Sequence, residues 1–145
     1  MQTQCTPKLT GVQPCGRRRV DVAFDAGDVS SDGGLVLLRE VAQLSGFFDR
    51  VASCFIDHRD SERIEHTVQQ LAAQRILGMA CGYEDLNDHD TLRLDPLFAL
   101  AAGKRDPCGL DRKRERDHGR ALAGHATLNR IETAPAQLNP ARRDL

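Results

Sequence analysis

The stretch Gly82-Tyr83-Glu84-Asp85-Leu86-Asn87-Asp88-His89-Asp90 concentrates four acids (Glu84, Asp85, Asp88, Asp90), His89 and Asn87 in one short block. Side chains of these types can hold a divalent cation or carry protons. Two-metal phosphoryl transfer, however, needs carboxylates converging on ions about 3.5–4 Å apart, supplied by separate strands and helices. A local run of acids more commonly caps turns or pairs with arginine, and Asp88 and Asp90 are placed to cap the turn before Leu92. The glycine and distal glutamate of a calcium loop are not at their required offsets. A stand-alone metalloenzyme built on this block therefore ranks last among the readings, and no metal ligands are assigned.

Other constellations fail on spacing. His58 and His66, near Asp57, Asp60 and Glu65, lie farther apart than the i, i+4 pair of a helical zinc site. Gly119 and Gly124 have the glycine spacing of a phosphate loop, but His125 and Ala126 stand where lysine and serine or threonine are needed. Cys5, Cys15, Cys54, Cys81 and Cys108 form no C-x-x-C pair, which argues for free thiols rather than a disulfide framework or a zinc ribbon. A helix-turn-helix over 61–81 and 86–102 would set an acidic link against the phosphate backbone, and Leu97 to Ala102 offers almost no polar side chains to read bases.

The bulk properties suit one domain with a core: 145 residues, 40% hydrophobic and 28% charged. No apolar run is long enough to span a bilayer, and the N-terminus lacks the apolar core of a secretory signal, so a cytoplasmic location is expected. The net charge of -1 conceals segregation. Residues 1–19 carry Lys8, Arg17, Arg18 and Arg19 and no acid, residues 83–95 are acidic, and residues 104–120 are mostly basic. All basic residues except Lys8, Lys104 and Lys113 are arginine, whose planar fork suits phosphate as well as carboxylate. Two basic segments thus permit nucleic-acid binding without demanding it.

The elements that must position these residues are mainly helical. Residues 1–18 read as an irregular basic N-terminus, and Val20 to Asp25 alternates as one short strand. Ser30, Ser31 or Asp32 caps a helix over about 32–44, with Leu35, Leu38, Val41 and Ala42 inward and Arg39, Glu40 and Gln43 elsewhere. A second short helix covers Phe47 to Ala52. Asp60 or Ser61 caps the longest helix, roughly 61–81, whose apolar stripe is Ile64, Val68, Leu71, Ala72, Ile76 and Met79. Asp95-Pro96 opens a compact helix over Leu97 to Ala102, residues 104–119 form a charged connector, and Ala121 to Ile131 a last helix. Residues 133–145 read as a frayed tail. A lone strand with no visible sheet partner implies an incomplete α/β domain.

Several segments in order resemble the N-terminal region of DDE-type transposases of the 1380-type insertion-sequence family (transposase DDE domain group 1). They are Phe24 to Gly27 with Asp25, Ser31 to Leu35 with Asp32, Leu37 to Glu40, and Asp57-His58-Arg59-Asp60 with His66. Gln74 to Gly78 with Arg75 follows, then Tyr83, Glu84, Asp85, Asn87, Asp88 and Asp90 of the acidic block, Leu92 to Pro96 with Arg93, and Thr127 to Glu132 with Asn129 and Arg130. The resemblance covers about residues 19–132, the helical N-terminal part of an RNase H-like transposase. The family commonly has Gly-Lys-Ser before Thr-Leu-Asn-Arg, where this chain has Gly124-His125-Ala126.

The resemblance implies an enzyme in which two Asp and one Glu hold Mg²⁺ for DNA strand transfer. It places the first of those carboxylates on a strand after the Thr-Leu-Asn-Arg segment. From Thr133 to Leu145 the sole carboxylate is Asp144, with no apolar strand before it, so no catalytic residue is carried over and truncation ahead of the catalytic core is expected. The expected function is transposon-end DNA binding without independent catalysis, with no cofactor in this chain and Mg²⁺ in the full-length family. Arg17, Arg18, Arg19, Lys104, Arg105, Arg112, Lys113, Arg114 and Arg116 are the phosphate-contact candidates. Expected partners are DNA and a homo-oligomer or intact transposase, with no membrane or small-molecule substrate. The alternative is a small helical protein-binding module acting as a regulator or dominant-negative partner.

Overall fold

A computed structural model of the chain describes residues 12–20, 22 and 32–133. Within them run helices α1 (Leu35–Leu44), α2 (Phe47–Ser53), α3 (Val68–Ala80), α4 (His89–Leu92), α5 (Pro96–Ala101) and α6 (His125–Glu132), with 3₁₀ turns at Ser61–Arg63, Leu86–Asp88 and Glu115–Asp117. The mainly helical expectation is met. The strand expected over Val20 to Asp25 lies mostly outside the described residues. Among those described there is no extended strand, and pairing is limited to isolated bridges such as Cys15 with Arg18.

The core joins Leu35 and Ala42 of α1, Phe48 of α2, Ala73 and Leu77 of α3, Leu92 of α4, and Phe98 and Ala99 of α5, closed by Ala121 and Leu122. Each large apolar side chain sealed here contributes about 1.5–3 kcal/mol. A smaller cluster of Leu71, Ala123 and Leu128 seats α6 on α3. The Tyr83 ring meets Phe98 edge-on, with centroids 5.9 Å apart.

α3 is shorter than its apolar pattern suggests. Asp60 caps only the turn Ser61–Arg63, accepting from Glu62 N–H at 3.1 Å, and Ile64 then turns extended. The helix starts at Val68 because Thr67 and Gln70 form a reciprocal capping box, with bonds of 3.1 and 3.2 Å. Its inner face is also rotated from the expected stripe. Leu71, Ala73, Gln74, Leu77 and Gly78 are buried, whereas Met79 is exposed. Beyond α3, Gly82 takes a φ of 93° and lets Tyr83 N–H reach back to Gly78 O at 2.9 Å, closing the helix and aiming the chain into the acidic block.

α1 departs from expectation in the same way. Leu38 and Val41 face outward, and Arg39 is buried on the inner face. The cause is polar: Arg39 Nη1 and Nη2 donate to the carbonyls of Gln13 and Pro14 at 3.0 and 3.2 Å. Glu40 accepts from Gln13 N–H at 2.7 Å. Residues 12–18, which form neither helix nor strand, are thereby anchored to α1, and Cys15 and Arg18 exchange both backbone hydrogen bonds, at 2.9 and 3.0 Å, around a Gly16-Arg17 turn. The last helix begins at His125 rather than Ala121, because Ala121 to Ala123 run non-helically through the core. α5 opens as expected on Asp95, whose Oδ1 accepts from Leu97 N–H at 2.7 Å with Pro96 in the first turn.

Candidate functional site

The acidic block is a junction between α3 and α6. His89 is fully buried beneath α3. Gln74 Nε2 donates to His89 Nδ1 at 3.2 Å and to Ala123 O at 2.8 Å, while Gln74 Oε1 accepts from Ala123 N–H at 3.0 Å. One amide side chain thus satisfies both backbone groups of Ala123 and fixes the proton of the imidazole on Nε2. That Nε2 is buried with no hydrogen-bond partner. Burial first, and then the charge of Arg75, lowers the pKa of His89, so the ring is neutral.

Arg75, on the same helix, holds the start of the block. Its Nη1 and Nη2 donate to Tyr83 O and Glu84 O at 3.3 and 2.9 Å, and its Nε pairs with Glu132 of α6 at 2.5 Å. Tyr83 donates its hydroxyl to Asp32 at 2.9 Å, the main reason its pKa is raised. Asp85 caps the turn Leu86–Asp88 by accepting from Asn87 N–H at 2.9 Å.

Asp90 reaches across to α6. Its Oδ1 accepts from His125 N–H at 3.2 Å, and its Oδ2 lies 2.6 Å from His125 Nδ1. Desolvation pushes the Asp90 pKa up, but the His125 bonds and the Arg93 charge together bring it below the usual value. Asp85 and Asp90, rather than Asp88 and Asp90, are the capping acids, and Asp90 caps α6 instead of the turn before Leu92. Gly124 is closely enclosed there: a Cβ on it would come within 2.7 Å of Asp90 Oδ1 and 2.8 Å of Arg93 Nη1.

The other motif residues fall in separate places. Asp57 and Arg59 form a local two-point pair with bonds of 2.7 Å each, which lowers the Asp57 pKa. His66 is buried between Arg112 and Lys104. Asn129 and Arg130 of α6 are exposed, as are Asn87 and Glu84. Asp25 lies outside the described residues.

The basic residues divide into two groups. Lys104 is buried, and Arg112 is bound to Glu65 at 2.6 Å, so both serve internal contacts. Lys113 donates to Glu62 O. Arg17, Arg18, Arg19, Arg105, Arg114 and Arg116 are exposed. Arg18 Nη2 lies 3.9 Å from Asp106, which sets the basic turn at residues 16–19 beside the start of the second basic segment. Arg18 and Arg19 also border an open groove of about 570 Å³ floored by Pro96, Leu97, Leu100 and Pro107. Three structurally important residues, Arg39, Gln74 and Gly78, escape a periodicity reading. Gln74 and Gly78 could be found as a polar-plus-small i, i+4 pair facing inward within an apolar helix.

A family model described as Transposase DDE domain group 1 matches residues 12–145. No curated protein matches the chain, and no solved structure does. That family is generally Mg²⁺-dependent, but the carboxylates among the described residues do not fit a Mg²⁺ site. Asp32, Asp85 and Asp90 are committed to Tyr83, Asn87 and His125, and no group of three or more His, Cys, Asp or Glu converges among the described residues. No step through the ion is assigned to them. No described helix is long and apolar enough to cross a membrane.

Proposed function

Because the chain belongs to the Transposase DDE domain group 1 family, we propose that its helical body binds transposon-end DNA and makes no catalytic contribution of its own through the acidic block. The observation that supports this reading is the 3.9 Å approach of Arg18 to Asp106, which brings the turn bearing Arg17, Arg18 and Arg19 beside the start of the segment that carries Arg105. Arg17, Arg18, Arg19 and Arg105 would supply the phosphate contacts there, and Arg114 and Arg116 extend the basic character along the second segment. Fluorescence anisotropy with a labelled DNA duplex over a salt series tests it. Affinity should fall steeply with salt; binding indifferent to salt would overturn the phosphate-contact model.

A second reading, a module that docks on an intact transposase, draws on a different observation. Leu37, Leu38, Val41 and Leu44 expose apolar side chains along the outer face of α1. Co-purification with intact transposase that is lost on Leu38→Glu or Val41→Glu, with DNA binding retained, would favour this reading over the first.

A further inference from the structure

Arg39 is only 2% exposed, on the inner face of α1. A guanidinium keeps its charge even when buried, so its donors must be met inside the protein. Its Nη1 and Nη2 donate to the carbonyl oxygens of Gln13 and Pro14 at 3.0 and 3.2 Å, and its Nε is buried without a partner. The two consecutive carbonyls just ahead of the basic turn are thus what offsets the burial of Arg39. A planar fork reaches both at once, whereas an ammonium is a single point. Glu40, next along α1, accepts from Gln13 N–H at 2.7 Å, so adjacent residues of the helix grip both polar faces of the same short segment.

The grip passes to the arginines without a flexible joint. Cys15 follows Pro14 directly, and its Sγ donates to Leu100 O of α5 at 3.4 Å. Cys15 and Arg18 close the turn with two backbone hydrogen bonds. Gly16 has a φ of 58° and Arg17 has no positive φ, the pattern of a two-residue turn with glycine first. Arg18 then meets Asp106 at 3.9 Å. We propose that Arg39, though out of reach of any ligand, is the positioning residue of the basic turn: it fixes Arg17, Arg18 and Arg19 in one arrangement beside Arg105 instead of leaving them as a loose basic tail. On the DNA-binding reading above, on which this rests, the buried fork sets the affinity of the exposed arginines. A fixed set of donors loses less freedom on binding than a tail does.

Arg39→Lys in the full chain tests this, because it keeps the charge and loses the fork. ¹⁵N relaxation should show the Arg17 and Arg18 amides ordered in the parent and mobile in Arg39→Lys. Anisotropy on a labelled duplex should show the salt slope of Arg39→Lys falling toward that of the chain with Arg17, Arg18 and Arg19 all replaced by alanine, a loss of about 0.9 for each phosphate contact. Replacing the three arginines in the Arg39→Lys background should then change little, a non-additivity that lost stability alone does not produce. Gly16→Val disturbs the turn while leaving Arg39 in place. A Cβ on Gly16 meets nothing within 4 Å, but a branched residue does not hold that φ. This variant should weaken duplex binding in the same way with the circular dichroism of the parent. Ordered amides with the parent salt slope in Arg39→Lys overturn the inference, as does parent affinity in Gly16→Val. A parent chain with no salt-dependent binding overturns the DNA reading first and the inference with it.

Discussion

The imidazole of His89 occupies the space that a side chain on Gly78 would need: a Cβ built at Gly78 would lie 2.7 Å from His89 Cε1 and 3.1 Å from Nε2. α3 can pass this close to the acidic block only because it carries no side chain at that turn. Gly78→Ala would gain up to about 1 kcal/mol of helix propensity. It would also force a buried ring out of a filled site, at a cost of about 1–3 kcal/mol. The ring cannot swing away without releasing Gln74, so the clash wins. Net destabilisation by urea unfolding is expected, and a stabilised Gly78→Ala would refute this packing. The double variant Gly78→Ala/His89→Ala should destabilise less than the sum of its singles, since the two positions are in contact.

Gln74→Leu should be costly although it makes the helix more apolar. It strands the N–H and C=O of Ala123 and the Nδ1 of His89, each now paired with the Gln74 amide. A stranded buried polar group costs about 1–3 kcal/mol. Amide exchange gives a local readout: protection at Ala123 should drop more than protection within α5. Unchanged protection at Ala123 would mean that the amide clamp is not what holds residues 121–123 non-helical.

These two residues also show where the sequence is readable and where it is not. The existence of α1, α3 and α5 follows from apolar spacing, and Asp95-Pro96 announces the start of α5 through cap chemistry that acts within a few residues. The inward face of α1 and α3 does not follow, because a buried Arg39 or Gln74 is stabilised by the carbonyls of Gln13 and Pro14 or by Ala123, all distant in sequence. Periodicity scores such residues as solvent-facing and so rotates the helix. In the acidic block the sequence shows that acids can cap turns, but not which: Asp85 caps the turn at Leu86–Asp88, whereas residue type alone points to Asp88 and Asp90 capping the turn before Leu92. That Asp90 serves His125, 35 residues on, is tertiary information.

Asp90 is predicted to act as a cap for α6. Asp90→Ala removes the acceptor for His125 N–H and should cost about 0.5–2 kcal/mol. Asp90→Asn keeps an acceptor for that N–H but loses the charge facing His125, and should fall between the parent and Asp90→Ala. Circular dichroism with thermal unfolding reads the order. If both variants match the parent, the interaction does not stabilise the helix.

The basic turn yields a prediction for DNA. Replacing Arg17, Arg18 and Arg19 together with alanine leaves the Gln13 and Pro14 carbonyls on Arg39 and so should preserve the fold. If each of the three neutralises one phosphate, the slope of log K against log salt on duplex DNA should shrink by about 0.9 for each arginine replaced. Arg105→Ala should weaken binding further by a similar increment, because Arg18 lies beside Asp106, its sequence neighbour. A triple variant with the parent salt slope would move the DNA surface elsewhere.

Acid should unfold the chain in a window set by His66. Its pKa falls from 6.5 to about 3 on folding, so the unfolded chain binds the proton more readily across that interval. The contribution of His66 is fully present above pH 6.5 and is lost as pH falls toward about 3. The loss proceeds at up to about 1.4 kcal/mol per pH unit. His89, also shifted down by burial, adds a slope of the same sign. Asp57, Asp90 and Asp106, whose pKa values are lowered, lose their contribution only as pH drops below their ordinary value of 3.8, so their effect is separable. Urea midpoints measured between pH 7 and 4 should therefore decline in the parent and decline less in His66→Gln, which cannot take up a proton. A His66→Gln curve parallel to the parent over that range would show that the buried imidazole is not the group that senses acid.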